Sequence, residues 1–337
     1  MTTSSAQTAQ NQNQPAQAAL PRIVFLDRSS IAPAVNLVRP ATPHEWVSYA
    51  HSQDEDVVER LKGATIAIVN KVHVRRDMLE QLPELKFISV AATGFDGVDI
   101  EACRERGITV SNVRGYAVHT VPEHTLTLML SLRRSLLAYR QDVADGKWQA
   151  AGQFSFFSHP VADLAGARVG IIGEGSIGQS VGQLCAAFGM EVMFAAHKGE
   201  ATMGALYTPF STLLETADII TLHAPLNDAT RDMLAMAEFR QMRRAPLIIN
   251  TARGGLVNEA DVVQALDEGL ISGIGFDVLS TEPPTPDNPL LKVLDRPNVI
   301  VTPHVAWASL DAQQTLWNQV AESLDAFLAS TPVRVVV

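Results

Sequence analysis

Short apolar runs alternate with amphipathic stretches along nearly the whole chain. Arg22-Ile-Val-Phe-Leu-Asp27, Ala64-Thr-Ile-Ala-Ile-Val-Asn70, Leu85-Lys-Phe-Ile-Ser-Val-Ala91 and Ile108-Thr-Val-Ser111 are rich in β-branched residues and predict strands. Between them, the patterns around Glu55 to Lys62, Arg75 to Gln81 and Asp99 to Arg106 predict helices, the last ended by Gly107. Pro122 to Arg140 predicts one long helix, with Leu126, Met129, Leu130 and Leu137 on its buried face. The same rhythm resumes at Arg168. It predicts strands at Val169 to Ile172, Glu191 to Ala195, Ile219 to His223, Pro246 to Asn250, Gly273 to Asp277 and Val299 to Thr302. A terminal helix, Asp311 to Ala329, follows, and Val333 to Val337 can return as an edge strand of the first half. Strands alternating with helices at this spacing imply an α/β fold with parallel sheets.

The 337 residues suit about two domains. Hydrophobic content of 47% and charged content of 18% fit a globular protein, and no apolar run is long enough to cross a bilayer. A net charge of −10 argues against nucleic acid as a partner. Two cysteines, Cys103 and Cys185, make no disulfide framework or metal site and suit a reducing, cytoplasmic setting. Residues 1–20 lack apolar periodicity and the basic start of a secretory signal, and read as a disordered leader. The stretch from Gly146 to Pro160 breaks the pattern yet carries Trp148, Phe154, Phe156 and Phe157. It reads either as a loop covering the core or as an arm that forms a dimer.

The chemistry centres on Val169-Gly-Ile-Ile-Gly-Glu-Gly-Ser-Ile-Gly-Gln179. A strand, glycines at Gly173, Gly175 and Gly178, and a helix-compatible run form the context a dinucleotide fingerprint needs. Ser176 and Ile177 open the helix, whose N-terminus favours a pyrophosphate. Such sheets place an acid for the ribose about 20 residues onward. Here Ala196 stands there, followed by His197 and Lys198. Absence of an acid beside two potential cations favours NADPH over NADH. The same residues also read as an ordinary exposed turn. His223, with Ala224 and Pro225, stands at another strand end, where it is either a cofactor contact or a structural histidine.

Three further groups stand at strand ends. Arg253 follows Ile249-Asn-Thr-Ala, with Thr251 and Ala252 before it. Glu282 follows the strand ending at Asp277, and His304 follows Val301-Thr-Pro. A site that reduces a ketoacid needs a cation for the carboxylate, a proton donor, and a group that keeps the donor protonated. Singly, Arg253 reads as a surface ion-pair residue, Glu282 as a loop acid and His304 as a capping or core side chain. Together they assemble the required set on adjacent strand ends.

These motifs, with His223-Ala-Pro-Leu226, Asn250-Thr-Ala-Arg-Gly-Gly-Leu-Val-Asn258 and Thr302-Pro-His304, resemble the D-isomer-specific 2-hydroxyacid dehydrogenases from about Arg22 to the C-terminus. The resemblance implies two doubly wound parallel-sheet domains: a Rossmann NAD(P)-binding domain, 120–305, inserted into a flavodoxin-like substrate domain, 21–119 with 306–337. It implies Arg253, Glu282 and His304 as catalytic residues and Asp277 at the nicotinamide carboxamide. It adds Val121, Thr251 and Ala252 along the cofactor, and Thr93 and Gly94 as backbone donors to the substrate carboxylate. It also makes residues after Gly146 a homodimer region, with Trp148 reaching the neighbouring subunit. Within the family, Tyr139-Arg-Gln-Asp142, Gly146-Lys-Trp148 and Phe157-Ser-His-Pro160 are most similar to bacterial glycerate dehydrogenases and hydroxypyruvate reductases. That implies reduction of hydroxypyruvate or glyoxylate by NAD(P)H to D-glycerate or glycolate. The contrasting expectation is a non-enzymatic, NAD(H)-sensing binding protein, like the co-repressors built on this fold, which also keep Arg, Glu and His.

Overall fold

The computed structural model describes residues 20–200 and 203–337, so residues 1–19 of the expected leader lie outside the described residues. The chain divides into two compact units, residues 20–113 with Leu316–Val337, and Arg114–Thr315.

The first unit contains β1 (Arg22–Phe25), β2 (Glu45–Ser48), β3 (Ile66–Val69), β4 (Phe87–Val90) and β5 (Thr109–Asn112). They form one parallel sheet in the order β2-β1-β3-β4-β5. This is the flavodoxin-like order. β3 and β4 are buried on both faces, as continuous apolar runs require in a parallel sheet with helices on both sides. The helices are α1 (Val57–Leu61), α2 (Arg76–Leu79) and α3 (Ile100–Glu105), the last capped by the Asp99 carboxylate, which accepts from Ala102 N. The C-terminal helix, Leu310–Leu328, lends Leu316, Trp317, Val320 and Leu324, spaced to share one buried face. Its Trp317 packs on Phe25 and donates its indole N–H to Val38 O. The expected edge return at Val333 to Val337 is a single antiparallel bridge, Ser111 to Val335, with further bonds between Val110 and Val336–Val337.

The second unit contains β6 (Arg168–Ile172), β7 (Glu191–Ala195), β8 (Tyr207–Thr208), β9 (Ile219–Leu222), β10 (Leu247–Asn250), β11 (Gly273–Phe276) and β12 (Val299–Val301). Their parallel order is β12-β11-β10-β9-β6-β7-β8. The strand order reverses between β6 and β9, which is the Rossmann switch point. Alternate residues feed opposite faces. Ile248 of β10 joins one apolar cluster with Phe239 and Val262, while Leu247 and Ile249 join another with Met129 and Val181. The helices are α4 (Thr120–Arg133), α5 (Leu136–Ala144), α6 (Lys147–Ala151), α7 (Ser176–Ala187), α8 (Phe210–Thr216), α9 (Met236–Phe239) and α10 (Glu259–Asp267).

The single helix expected over Pro122 to Arg140 is two helices. Ser135 sits in the left-handed region at φ 48° and its hydroxyl donates to Pro160 O at 2.6 Å. Arg133 holds Asp163 O, and Arg134 pairs with the Asp163 carboxylate. Anchoring by residues 160–163 offsets the local cost of the break, which no glycine or proline announces.

The two cysteines are buried and unpaired. Burial pushes the Cys103 thiol up to about 11 and the Cys185 thiol up to about 12. Both therefore behave as small core side chains.

Candidate active site

Two of the three glycines of the β6–α7 turn are required by close contacts. Gly173 has φ 104°, and a Cβ there would lie 2.6 Å from the His223 backbone at the end of β9. A Cβ on Gly178 would meet Gly173 O at 2.0 Å, so the third glycine lets α7 close onto the turn. Gly175 faces open space, with nothing within 4 Å of a built Cβ. It is the N-cap of α7 and supplies no side-chain cap. The first N–H groups of that helix, starting at Ser176 and Ile177, are therefore left for an anion.

His223 stands beside this turn. Its Nε2 bonds Thr221 Oγ1 at 2.9 Å, whereas its buried Nδ1 has no hydrogen-bond partner among the described residues. Burial pushes its pKa down to about 3, so the ring is neutral. An orphaned ring nitrogen next to an open glycine cradle fits a bound dinucleotide better than a purely structural histidine.

At the end of β7, Ala196 is buried, and the strand end from Ala195 to Gly199 carries no Asp or Glu. Lys198 is not a free cation. Its Nζ pairs with Glu238 Oε1 at 2.9 Å and donates to Met233 O at 3.2 Å. His197 is exposed, and its backbone N–H reaches Met203 Sδ.

The three reacting candidates emerge from neighbouring strands. The register sets Asn250 opposite Phe276, and Phe276 opposite Val301. Residues just past these positions thus leave the sheet side by side. Asn250, fully buried, shapes the first turn: its Nδ2 donates to Arg253 O at 2.8 Å and its Oδ1 accepts from Ala252 N at 3.1 Å. Thr251 Oγ1 lies 2.9 Å from Thr125 Oγ1, which donates to Val121 O, so Val121 and Thr251 are tied through one residue of α4. Arg253 is half-buried, with Nη1 on Ala252 O at 2.8 Å. A Cβ on Gly254 would lie 1.9 Å from Leu279 O. Only glycine lets the Arg253 turn approach the backbone before Glu282 so closely.

The segment bearing Glu282 is held from beneath by Glu259. Its carboxylate accepts from Ser280 N at 2.6 Å and from Asn288 Nδ2 at 2.7 Å. Glu282 itself accepts from Leu279 N at 3.0 Å through Oε1, and its Oε2 lies 2.6 Å from His304 Nδ1. Nδ1 is thereby occupied, which leaves Nε2 as the ring nitrogen for another partner. His304 lies at φ 54°, a left-handed conformation that costs a histidine on the order of 1–3 kcal/mol. Asp277 stabilises that turn. Buried, it accepts from Val305 N at 2.9 Å, Ala306 N at 2.8 Å and Thr302 Oγ1 at 2.5 Å, while its own carbonyl accepts from His304 N.

Sequence reasoning passed over Asn250 and Glu259, whose contacts are the supports of Arg253 and Glu282. It also passed over Tyr116, which lies edge-on to Trp307 and within the field of Arg253. Burial pushes that phenol up to about 12, so it stays protonated as a donor. In the first unit, Thr93 and Gly94 follow β4, and Asn112 Nδ2 donates to Thr93 O at 2.7 Å. Asp27 anchors the neighbouring turn, accepting from the backbone of Asn70, Lys71 and Val72, and burial raises its pKa.

The stretch after Gly146 folds back onto α5. Asp142 accepts from Lys147 Nζ at 2.5 Å and Ser158 Oγ at 2.7 Å, and lies 2.9 Å from His159 Nε2. Tyr139 donates to His159 O. Trp148 donates its indole N–H to the carbonyls of Gln153 and Phe154. Phe154 and Phe157 are 95% and 87% exposed, so these rings cover no core within this chain.

Residues 126–306 match the family profile described as "D-isomer specific 2-hydroxyacid dehydrogenase, NAD binding domain". The chain is 45% identical to a glycerate dehydrogenase of Methylorubrum extorquens, over 94% of its own length and 98% of that protein. It is 35% identical to a hydroxypyruvate reductase of Blautia hydrogenotrophica, over 84% of its length and 88% of that protein. Among solved structures, it is similar to an NADPH-dependent glyoxylate/hydroxypyruvate reductase of Sinorhizobium meliloti, crystallised with NADP and malonate. The TM-score is 0.78 at 27% identity, covering 94% of this chain and 97% of that one.

Proposed function

The chain belongs to the D-isomer-specific 2-hydroxyacid dehydrogenases, and we propose that it reduces hydroxypyruvate or glyoxylate to D-glycerate or glycolate with NAD(P)H. The observation that carries this reading is the 2.6 Å contact between His304 Nδ1 and Glu282, on the strand end next to the turn of Arg253. Relatives named glycerate dehydrogenase, hydroxypyruvate reductase and glyoxylate reductase support the substrate class.

A reduced nicotinamide, when bound, supplies the hydride for the ketone carbon. Gly173, Gly175, Ser176, Ile177 and Gly178 hold its pyrophosphate, and His223, Ala224, Pro225, Thr251, Ala252, Val121 and Asp277 line its path. Arg253 binds the substrate carboxylate through its planar fork and polarises the ketone oxygen. His304, oriented through Nδ1 by Glu282, delivers a proton from Nε2 to the ketone oxygen. In the reverse direction Nε2 takes the proton of the hydroxyl. Residues 120–305 thus act as the coenzyme domain, and 21–119 with 306–337 as the substrate domain.

NADPH is favoured over NADH, because the end of β7 carries Ala196 where an acid would repel the 2′-phosphate, with His197 exposed beside it. The exposed faces of Phe154 and Phe157 support a homodimer in which residues 146–160 seat on a second copy. No helix among the described residues is long and apolar enough to cross a membrane.

The test is an oxoacid panel crossed with NADH and NADPH, followed through nicotinamide absorbance. Hydroxypyruvate and glyoxylate should be turned over best. Coenzyme binding without turnover of any oxoacid would instead support the binding-protein reading.

A further inference from the structure

We propose that Glu238 governs the choice between NADPH and NADH, acting through Lys198. This inference rests on the reading above that a dinucleotide lies across the ends of β6 and β7.

The side chain nearest in sequence to the ribose position is Ala196, which carries no charge. Selection must therefore come from groups that reach the same place from elsewhere. Lys198 is two residues on, and its ammonium is bound to Glu238 Oε1 at 2.9 Å and to Met233 O at 3.2 Å. The two partners differ in freedom. The Lys198 side chain is 41% exposed, whereas that of Glu238 is only 9% exposed. Glu238 is also fixed from its other oxygen, Oε2, which accepts from Ala235 N at 3.1 Å at the start of α9. The carboxylate cannot follow the ammonium outward.

A 2′-phosphate approaching Lys198 thus meets a pair of zero net charge and must compete with a carboxylate that stays in place. The ribose hydroxyls of NADH meet the same pair without that competition. Glu238 weakens the preference that the missing acid at position 196 would otherwise create, and leaves both coenzymes usable. Glu238 lies between β9 and β10, forty positions from Lys198 in the chain, so it acts as a positioning residue for the lysine.

Isothermal titration of wild-type protein and variants with NADPH and NADH tests this independently of turnover. Glu238→Gln keeps an acceptor oxygen for Ala235 N and removes both the charge and the oxygen that faces Lys198. It should raise the ratio Kd(NADH)/Kd(NADPH) about tenfold, the effect of one charge acting over a partly screened distance. Lys198→Met should lower that ratio below wild type. Glu238→Gln combined with Lys198→Met should lose the gain, because the effect runs through the ammonium. A ratio unchanged within about twofold in Glu238→Gln would overturn the proposal. So would a gain that persists in the double variant, because Glu238 would then act by its own charge alone. Failure of the wild type to bind either dinucleotide would overturn both this inference and the proposed reaction. If both bind but no oxoacid is reduced, the reaction falls while the Kd ratios still decide the role of Glu238.

Discussion

The ends of β10, β11 and β12 and the end of β7 belong to one sheet but are built in opposite ways. At the first three, buried side chains bind backbone: Asn250 closes the Arg253 turn, Asp277 the His304 turn and Glu259 the segment before Glu282. Gly254 presses two of these turns together. At the end of β7, among the described residues, no buried side chain binds the backbone of the turn: Lys198 pairs with Glu238 and donates to Met233 O, and the His197 N–H reaches a methionine sulfur. The proposed chemistry, which depends on close placement, is assigned to the strand ends where backbone is locked. Under the proposal for Glu238, coenzyme choice would rest on a pair that one substitution can retune with little effect on the fold.

The largest effect should come from removing the proton donor. His304→Ala is expected to lower kcat for hydroxypyruvate by about two orders of magnitude or more. Coenzyme affinity, measured by titration, should hardly move. Near-normal turnover would break the contrast at its strongest point. Next comes the support beneath Arg253. Asn250→Ala removes a buried side chain that binds the half-buried Ala252 N–H and Arg253 carbonyl, and should destabilise the protein by about 1–3 kcal/mol in urea unfolding. KM for the oxoacid should rise with it. Stability within error of wild type would mean the turn is held by other contacts.

Asp142 extends the comparison to the segment at 142–159. The Lys147 ammonium, with the Ser158 hydroxyl, holds its carboxyl down to about 2, below the unfolded value of about 4. A group depressed on folding stabilises above its unfolded pKa and loses that contribution as pH falls toward the folded one. Amide protection in residues 142–159, taken relative to the intrinsic exchange rate at each pH, should therefore fall between about pH 4 and pH 2. In Asp142→Asn, protection should be low throughout, with no added step in that range. The smallest effect is expected at β7. Glu238→Gln should change unfolding free energy by less than about 1 kcal/mol, because Lys198 remains partly solvated. A larger loss would make this end of the sheet as tightly built as the other.

This contrast also explains what the sequence alone discloses. The long apolar runs mark the central strands of both sheets, because parallel strands buried on both faces need no polar alternation. The strands that escape are β2 and β8, short edge strands with half-buried positions. Gly173, Arg253, Glu282 and His304 are legible because each follows a recognisable strand, and strand ends of one sheet converge. Asn250, Asn112 and Glu259 are not legible as supports, since their partners are backbone groups, with Asn288 in addition for Glu259, that carry no local sequence signal. Glu238 is hidden for a different reason: its partner is forty positions away. The break at Ser135 is invisible because the contacts that anchor it, from Arg133, Arg134 and Ser135 to residues 160–163, lie some 25 to 30 positions away in the chain.

The central claim is that this site carries out stereospecific reduction of a small 2-oxoacid. The most direct measurement is reduction of hydroxypyruvate by the purified protein with NADPH, with chiral analysis of the product. Oxidation of coenzyme should be matched one-to-one by D-glycerate. Formation of L-glycerate, or bound NADPH that hydroxypyruvate never oxidises, would contradict it.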